Sequence, residues 1–546
     1  MTQAESAMKI LLSLLATCLA FCLPDSAATY YVNERSGRDT NSGLSPRAAW
    51  RTLDRVNHAA LQPGDFVLLK RGEVWHETLA LPASGSEGNP IRFGAFGLGP
   101  RPVISGSDPV PAARWVAAGP LQHIPFPGGI PASVWNHGIR LIRVAAEKEL
   151  NSPSKWWYDS ANQRIYMEAT SDVQEIEVQE RDLNIDDRER SHLVFDNLDL
   201  RHGRQGLRLF AWSSQVRDIT LQNSAVSTEP SAPHGTMSAG VYASVHTGEI
   251  SGITIHNNTF IPYPNGLEHW GIYFVQGVTD FHILNNTFEP AGEDAITVWH
   301  SSHGVIAGNF GGGNGENTID VKDSSEILIS DNHADNDGEY NIVVHGVDSD
   351  QLTYNVTVEN NRCRRGGQNG ALTAGIVLLF TRACAVRNNR VEEAYGAGIF
   401  AHDRGPGGNN ELSHNLLVNN GLHQKTGAIT IENASRMDVL SNTIYQQGSD
   451  GPALRVESGA GPIAADIEGN RFVAEQGRML ELTDPHAPIV LDHNLYYSQG
   501  HAEFSCGMKT WAFPDWQAVM RQDLNSQAAD IRTFPRSTVS SILPVH

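Results

Sequence analysis

Basic residues are scarce in this 546-residue chain. Lys and Arg together number 40 against 61 Asp and Glu, which gives a formal net charge of −21 at pH 7. A general nucleic-acid binder needs a basic face, so this charge balance excludes that class of protein. An anionic glycan is not excluded as a ligand, because a local cluster of basic side chains or a bound cation can reverse the field inside a groove.

Long hydrophobic runs are absent beyond the N-terminus. Residues 1–28 are typical of a secretory signal peptide, because Lys9 precedes an apolar run over 10–23 and small residues follow at 26–28. The run is too short for a membrane span, and no later segment is apolar enough for one. The sequence therefore predicts a secreted or periplasmic protein with no membrane span.

Cysteine is also rare. Two of the five cysteines lie in the predicted signal peptide, which leaves Cys363, Cys384 and Cys506. Cys363 and Cys384 fall in adjacent repeats of the pattern described next. Their spacing fits either a disulfide or two buried thiols.

A regular repeat is the chain's strongest signal. An Asn-containing unit closes one alternating run after another, and eleven steps cover the 297 residues from Asn197 to Asn494, a mean of 27. Three short strands and three turns close one coil of a β-solenoid in roughly this length. Inward Ile and Val alternate with outward residues, which indicates strands with one buried face. The sequence predicts a parallel β-helix in which an Asn in a left-handed turn stacks on the Asn of the next coil.

The flanking segments fit a capped solenoid. Trp50, Leu53, Val56 and Ala60 lie at helical spacing within 46–61, so an amphipathic helix is expected to cover the open N-terminal end of the core. The predicted organisation is a signal peptide at 1–28, an N-terminal cap with the first coils at 29–109, a β-rich insertion at 110–185, the parallel β-helix at 186–497, and a C-terminal cap at 498–546.

Segments near both ends carry a family resemblance. Residues 30–43, residues 61–72 with Trp75, and the tail at 494–497 and 516–526 resemble bacterial right-handed parallel β-helix proteins of the pectate-lyase-like superfamily. The resemblance implies an all-β, right-handed solenoid that acts on or holds a polysaccharide. The superfamily includes polysaccharide lyases, glycoside hydrolases, uronate epimerases and proteins of unknown activity, so the fold does not choose a reaction.

Alignment of the mid-chain strands predicts a functional face. If the Ile column points inward, an outward row reads Tyr242, Tyr273, Thr297, Asp320, Val343, Val377 and Phe400. Trp299, Lys322, His345 and His300 follow near the strand ends, and an acidic column of Glu293, Glu316 and Glu339 precedes the strands. Carboxylates repeated at about 4.8 Å repel one another, so they are expected to have raised pKa values or to bind a cation such as Ca²⁺. A solvated acidic turn is the alternative.

Three functions fit these residues, and a monomer acting on an acidic polysaccharide is expected. The favoured one is a lyase, with Lys322 or His345 as base beside Asp320 and with the three glutamates as metal ligands. Its substrate contacts are predicted at Trp299, His300, Tyr273, Arg382 and Arg404. The second is a glycoside hydrolase that pairs Asp320 with Asp294, Glu316 or Asp323. The third is a glycan-binding protein without chemistry, which stacks sugars on Tyr242, Trp270, Tyr273 and Trp299.

Overall fold

A computed structural model describes residues 27–169, 175–230, 237–262, 268–348, 350–369, 373–402, 408–422, 426–447, 451–458 and 463–533. The predicted signal peptide therefore lies almost wholly outside the described residues. Within them, short strands stack coil upon coil into three long sheets, as the period of the sequence predicts.

The three sheets, named here sheet 1, sheet 2 and sheet 3, are parallel apart from one final antiparallel strand in sheet 2. Sheet 1 consists of Thr29–Val32, Phe66–Lys70, Ile91–Phe96, Leu193–Asp196, Gln215–Gln222, Glu249–His256, Val278–Leu284, Ser302–Ala307, Ser325–Ser330, Thr353–Tyr354, Thr357–Glu359, Thr381–Arg382, Ala385–Arg387, Asn410–Ser413, Met437–Leu440, Ala465–Glu468 and Ile489–Asp492. Sheet 2 consists of Leu79–Ala80, Leu183–Asp186, Gln205–Ala211, Ser238–Val245, His269–Gln276, Ile296–Trp299, Asn317–Lys322, Tyr340–His345, Ala374–Leu379, Ala397–His402, Ile429–Glu432, Leu454–Glu457, Arg478–Leu482, Glu503–Cys506 and Lys509–Ala512. Sheet 3 consists of Val74–Trp75, Val103–Ser105, Asp199–Gly203, Ala225–Thr228, Thr259–Ile261, Thr287–Phe288, Phe310–Gly312, His333–Asp335, Arg362–Arg364, Arg390–Glu392, Leu416–Val418, Thr443–Gln446, Arg471–Ala474, Leu495–Ser498 and Gln527–Asp530.

The core is a continuous column of apolar side chains between the three sheets. In sheet 2 the predicted inward Ile residues pair coil on coil and are fully buried: Ile272, Ile296, Ile319, Ile342, Ile376 and Ile399. Because each coil buries its apolar face only against its neighbours, the solenoid lengthens without a single enlarging core.

The asparagine ladder is confirmed, with one correction. Ten buried asparagines are linked side chain to side chain, each Nδ2 donating to the Oδ1 of the next: Asn258, Asn286, Asn309, Asn332, Asn361, Asn389, Asn415, Asn442, Asn470 and Asn494. The left-handed residue is not the ladder Asn but the one before it, such as Asn257 or Asn360. Asn197 and Asn223 occupy this left-handed position, so Leu198 and Ser224 stand where the ladder would continue.

The N-terminal cap is shorter than the sequence predicts. A 3₁₀ turn at Pro46–Ala48 is followed by an α-helix only from Leu53 to Asn57, and Thr52 caps this helix by accepting a hydrogen bond from the Arg55 N–H. Trp50, Leu53 and Val56 are buried as expected, but Ala60 is exposed and Ala59 packs against the core instead. The helix ends before Ala60 because the chain leaves helical geometry at His58.

The C-terminal cap contains an eight-residue α-helix, Phe513–Met520, whose Trp516 is fully buried. Trp516 packs 5.5 Å from Phe504, and its indole Nε1 donates to the Asp523 carboxylate. Further 3₁₀ turns lie at Ala112–Arg114, Glu147–Glu149 and Ile531–Thr533.

Between Ser107 and Gln179 the chain leaves the solenoid and forms a lobe of two small sheets. One contains Ser107–Val110, Val134–Asn136, Ile139–Arg140 and Ile176–Gln179, and the other contains Val116–Ala118, Leu121–Pro125, Ile142–Arg143, Lys155–Asp159 and Arg164–Glu168. The lobe has its own apolar core around Trp156 and Ile165. Ser107 ties it to the solenoid by hydrogen bonding to His202 Nδ1 at 2.8 Å.

Of the two arrangements left open for Cys363 and Cys384, the structure has buried thiols that no disulfide joins. Burial raises the pKa of the Cys363 thiol. Among the described residues there is no helix with the length and apolar character needed to cross a membrane.

Candidate active site

The predicted outward row on sheet 2 is confirmed by its register. Tyr242 pairs with Tyr273, Tyr273 with Thr297, Thr297 with Asp320 and Asp320 with Val343. Val377 and Phe400 continue the same row. Strand alternation alone therefore selects the face on which the polar residues of these coils meet.

Two residues further along each strand, Trp299, Lys322 and His345 are direct neighbours in consecutive coils. The Lys322 ammonium lies 4.7 Å from the centre of the Trp299 ring, which is a cation–π contact. The Trp299 Nε1 donates to Asp323 at 2.8 Å, and His300 Nε2 lies 3.6 Å from the same carboxylate. Trp299 is thus held by one hydrogen bond and one cation, while His300 is exposed at the edge of the sheet.

His345 is paired with a carboxylate on the preceding coil. Its Nε2 lies 2.9 Å from Asp320 Oδ1, and both side chains are largely shielded from solvent. Burial pulls the pKa of His345 down, but attraction to Asp320 outweighs burial and holds the pKa above its usual value. The pair therefore places an imidazole and a carboxyl group in contact in the middle of the face.

Removing the charge of Asp320 is expected to reverse the pKa shift of His345. In Asp320→Asn, burial and repulsion by Lys322 would still lower the pKa of His345, but the attraction to Asp320 that raises it would be gone. The pKa of His345 should therefore fall below that of the wild type. An NMR titration of the His345 ring, assigned with His345→Gln, measures this. Asp331→Asn, at an exposed turn, should leave the titration unchanged, and an unmoved pKa in Asp320→Asn would refute the pairing.

The acidic column preceding the strands is also confirmed. The Glu316 N–H donates to the Glu293 carbonyl and the Glu339 N–H to the Glu316 carbonyl, so the three residues lie one coil apart. Burial, followed by the charges of Asp294 and Glu293, raises the pKa of Glu316 to about 9, and the Glu316 and Glu293 side chains are hydrogen-bonded to each other. Burial and nearby carboxylates also raise the pKa of Glu339. Glu316 therefore keeps its proton at neutral pH.

Asp294 is the buried member of the cluster. It is 3% exposed and accepts hydrogen bonds from Thr297 Oγ1 at 2.6 Å and from the backbone and side-chain nitrogens of Asn317, both at 2.9 Å. Burial, followed by repulsion from Asp320, raises its pKa to about 8. Because it is out of reach of a ligand, Asp294 does not suit the role of partner to Asp320 that the hydrolase hypothesis gave it.

Asp294 should make the protein less stable as the pH rises. A carboxyl group with a raised pKa in the folded state stabilises the fold below its unfolded pKa of about 4, and this contribution is lost as the pH rises through about 8. Asp294→Asn, in which Thr297 Oγ1 can accept instead of donate, should flatten that dependence. Urea midpoints between about pH 5 and pH 9 measure it, with exposed Asp280→Asn as control. An equal slope in Asp294→Asn and the wild type would contradict this assignment.

The predicted calcium site stays a prediction. The glutamates do form a column, but burial and neighbouring carboxyl groups raise the pKa of Glu316 to about 9, so this side chain is not a free carboxylate at neutral pH. Within the described ranges, no group of three or more His, Cys, Asp or Glu is arranged to hold a metal ion.

Three other site predictions have different outcomes. Arg382 lies on sheet 1, exposed, with its guanidinium 5.6 Å from the Tyr354 ring, so it does not join the residues on sheet 2. Phe380, two residues before Arg382, has a left-handed backbone, and this turn directs the chain from sheet 2 to sheet 1. Arg404 lies outside the described residues. Tyr273 is only 7% exposed, and burial, with Tyr242 and three carboxyls nearby, raises its pKa to about 12.

Tyr340 is a residue of the site that sequence reasoning missed. It directly follows Glu339 and pairs with Asn317, which follows Glu316. Burial, followed by Glu339, Glu316 and Asp320, raises its pKa to about 12, which places its phenol among the carboxyls. The sequence did contain a signal for Tyr340, because the residue that follows each glutamate occupies the same position in consecutive coils.

A comparison with protein families agrees with the fold. Residues 270–444 and 373–512 match a family model described as a right handed beta helix region. The chain is a right-handed parallel β-helix. A curated lacto-N-biosidase of Bifidobacterium longum subsp. longum is 36% identical to this β-helix over 96 residues, which is 16% of this chain and 6% of that protein. The match thus spans a small fraction of the relative's length.

Two solved enzymes have weak similarity to this chain. A GH136 lacto-N-biosidase from Eubacterium ramulus has 16% sequence identity and a TM-score of 0.44, with 79% of this chain and 67% of that chain covered. The periplasmic alginate epimerase AlgG, as a double mutant, has 13% identity and a TM-score of 0.39, with 63% and 76% covered.

Proposed function

We propose that this β-helix is a secreted or periplasmic glycoside hydrolase that acts on a neutral glycan. The observation that carries the proposal is the pair Glu293 and Glu316, two glutamates in adjacent coils, of which Glu316 is protonated at neutral pH because burial and neighbouring carboxyl groups raise its pKa to about 9. Glycoside hydrolysis needs one carboxylic acid and one carboxylate at the same bond. In this pair Glu316 supplies the acid, and we assign the carboxylate role to Glu293.

The spacing of the pair favours the retaining form of the reaction. Adjacent coils lie about 4.8 Å apart, close to the roughly 5 Å between the two carboxyl groups of retaining enzymes. Glu316 donates its proton to the leaving glycosidic oxygen while the Glu293 carboxylate attacks the anomeric carbon. Glu316, now a carboxylate, then removes a proton from the water that releases the sugar. Glu293 is positioned for attack because the Glu268 N–H donates to its Oε1 at 2.9 Å.

The charge of the site favours a neutral substrate. Glu293, Glu316, Glu339 and Asp320 surround the same short stretch of sheet 2, and each affects the pKa of at least one neighbouring group. A uronate brought into this cluster would be repelled by carboxylates in a partly dehydrated setting, where charge interactions are strong. A neutral sugar avoids that repulsion, and its hydroxyl groups can bond to Asp320 and Tyr340. The short match to a lacto-N-biosidase also supports hydrolysis.

One observation favours a lyase as the second candidate. Lys322 and His345 are neighbours in register, with Asp320 hydrogen-bonded to the imidazole. This arrangement places two nitrogen groups where a lyase would need a base and a partner for the uronate carboxylate. It accounts for Lys322 better than the hydrolase does, but it leaves the protonated Glu316 beside Glu293 without a role.

Product analysis tests the proposal. The protein would be incubated with neutral polysaccharides (xylan, galactan and mixed-linkage glucan) and with acidic ones (polygalacturonate and alginate). We expect new reducing ends on a neutral substrate, no rise in ultraviolet absorbance, and initial retention of the anomeric configuration by NMR. A rise in absorbance on an acidic substrate would establish elimination and overturn the proposal, and binding without either signal would support the non-catalytic function.

A further inference from the structure

An exposed aromatic cluster lies where two strands of sheet 2 end, several coils before Trp299. Its members, named here the aromatic cluster, are Phe210, Trp212 and His246. The Trp212 and His246 rings stack 4.1 Å apart at an interplanar angle of 20°, and Phe210 lies 6.0 Å from Trp212. Trp212 is 56% exposed, which is high for so large an apolar side chain.

The exposed ring of Trp212 is held on a fixed backbone. The backbone N–H groups of Trp212, Ser213 and Ser214 all donate to one carboxylate oxygen of Glu189, at 2.5, 3.0 and 3.4 Å. These bonds lower the pKa of Glu189, so the carboxylate stays charged at neutral pH and keeps accepting all three hydrogen bonds. On the other side, Thr247 Oγ1 donates to the Trp212 carbonyl at 2.6 Å. A ring fixed in advance loses little conformational entropy when a ligand stacks on it.

The register places the aromatic cluster in line with Trp299, at the opposite end of the strands from Glu293 and Glu316. Phe210 pairs with Ser244, and Ser244 pairs with Gln276 across a bulge that skips Val275. One coil later Phe274 pairs with Val298, so Val275 and Trp299 follow at the same level, and Lys322 and His345 succeed Trp299 in the next coils. Three coil steps separate Phe210 from Trp299, or about 14 Å along the solenoid axis at about 4.8 Å per coil. Each coil step is about the length of one pyranose unit.

The residues between the two aromatic positions leave a path open. Ser244 is small, Val275 is half-buried, and Gln276 is exposed and polar. A sugar chain lying along this edge would meet the aromatic cluster at one end, hydrogen-bonding groups in the middle, and Trp299 with His300 at the other end.

We propose that the aromatic cluster is a distal saccharide-binding subsite, which stacks on a pyranose ring about three units from the sugar that lies at Trp299. The proposal rests on the proposed function, because the occupant is the same neutral glycan. The flat Trp212 and His246 rings supply an apolar surface to the C–H face of a sugar, while Phe210 extends that surface toward the sheet. The subsite makes the protein selective for chains of four or more units, which reach it, over short ones, which do not.

Chain-length dependence of binding tests this subsite. Xylo-, cello- and galacto-oligosaccharides of two to six units would be titrated calorimetrically into protein carrying Glu316→Gln, with and without Trp212→Ala. We expect Trp212→Ala to weaken binding of hexasaccharide by about 2- to 10-fold and to leave disaccharide binding unchanged. Trp212→Phe should restore most of the affinity. Phe310→Ala, which removes another exposed ring but from sheet 3, is the matched control and should change neither.

Two outcomes would overturn the subsite. One is equal hexasaccharide affinity in Trp212→Ala and Phe310→Ala. The other is an affinity that does not change with chain length in the protein that keeps Trp212. Failure of the proposed function is visible separately, because it would appear as undiminished turnover in Glu316→Gln or as no hydrolysis by the wild type. Neither result alters the comparison of affinities.

Discussion

Replacing Glu316 with glutamine is expected to lower kcat on a neutral glycan by about 10²- to 10⁴-fold, the usual contribution of a general acid. Glu316 keeps its proton at neutral pH because burial and the charges of Asp294 and Glu293 raise its pKa to about 9. Glutamine preserves the size of the side chain and can still donate to Glu293, but it has no proton to give to a leaving oxygen. Steady-state kinetics with a reducing-end assay measures the loss.

The pH profile and a matched variant make this prediction specific. Because the acid must be protonated to act, wild-type activity should decline as the pH rises through about 9, and Glu316→Gln should remove that limb from whatever activity remains. Glu326→Gln, which alters an exposed carboxyl on sheet 1 paired with His303, should keep near wild-type kcat. Full activity in Glu316→Gln would mean that another group is the acid.

Breaking the asparagine ladder is expected to have the largest effect on stability. The Asn361 Nδ2 donates to the Ile329 carbonyl, to the Glu359 carbonyl and to Asn389 Oδ1, and its Oδ1 accepts two bonds from Asn332. Asn361→Ala would leave several of these buried partners without a hydrogen bond. Since one unsatisfied buried polar group costs about 1 to 3 kcal/mol, the free energy of unfolding should fall by about 3 to 5 kcal/mol. Urea unfolding followed by circular dichroism measures it.

The preceding asparagine provides the control. Asn360 is exposed, and its backbone is left-handed, with a φ of 56°. Glycine adopts that conformation without strain, so Asn360→Gly should change the free energy of unfolding by no more than about 0.5 kcal/mol. A similar loss of stability in Asn360→Gly and Asn361→Ala would show that the side-chain ladder is not the source of the effect.

The sequence predicted the solenoid and its outward row because both follow from local periodicity. An Ile every coil fixes which side of each strand is buried, and the register then places Asp320, Lys322 and His345 as neighbours without further information. The ladder was recognisable for the same reason. Its exact column was misassigned at Asn197 and Asn223, because adjacent positions in the turn both favour asparagine, one for its backbone and one for its amide.

Properties that depend on packing between coils were harder to predict. Arg382 is three residues past a sheet 2 strand, yet one left-handed residue turns it onto another face. The burial of Asp294, which removes it as a direct partner for a substrate, depends on how Thr297 and Asn317 close over it. The raised pKa of Glu316 depends on desolvation, and a linear sequence contains no measure of that.

The reversal of direction at the end of sheet 2 gives the solenoid a finite length. Lys509–Ala512 pairs antiparallel with Glu503–Cys506, whereas the earlier neighbours in this sheet are parallel. A parallel coil presents the next coil with a hydrogen-bonding edge of matching polarity, and such an edge is also a template for another molecule. The reversed strand, backed by the helix that carries Trp516, presents an edge that does not continue the repeat. Growth of one molecule upon another into fibrils is thereby disfavoured at this end.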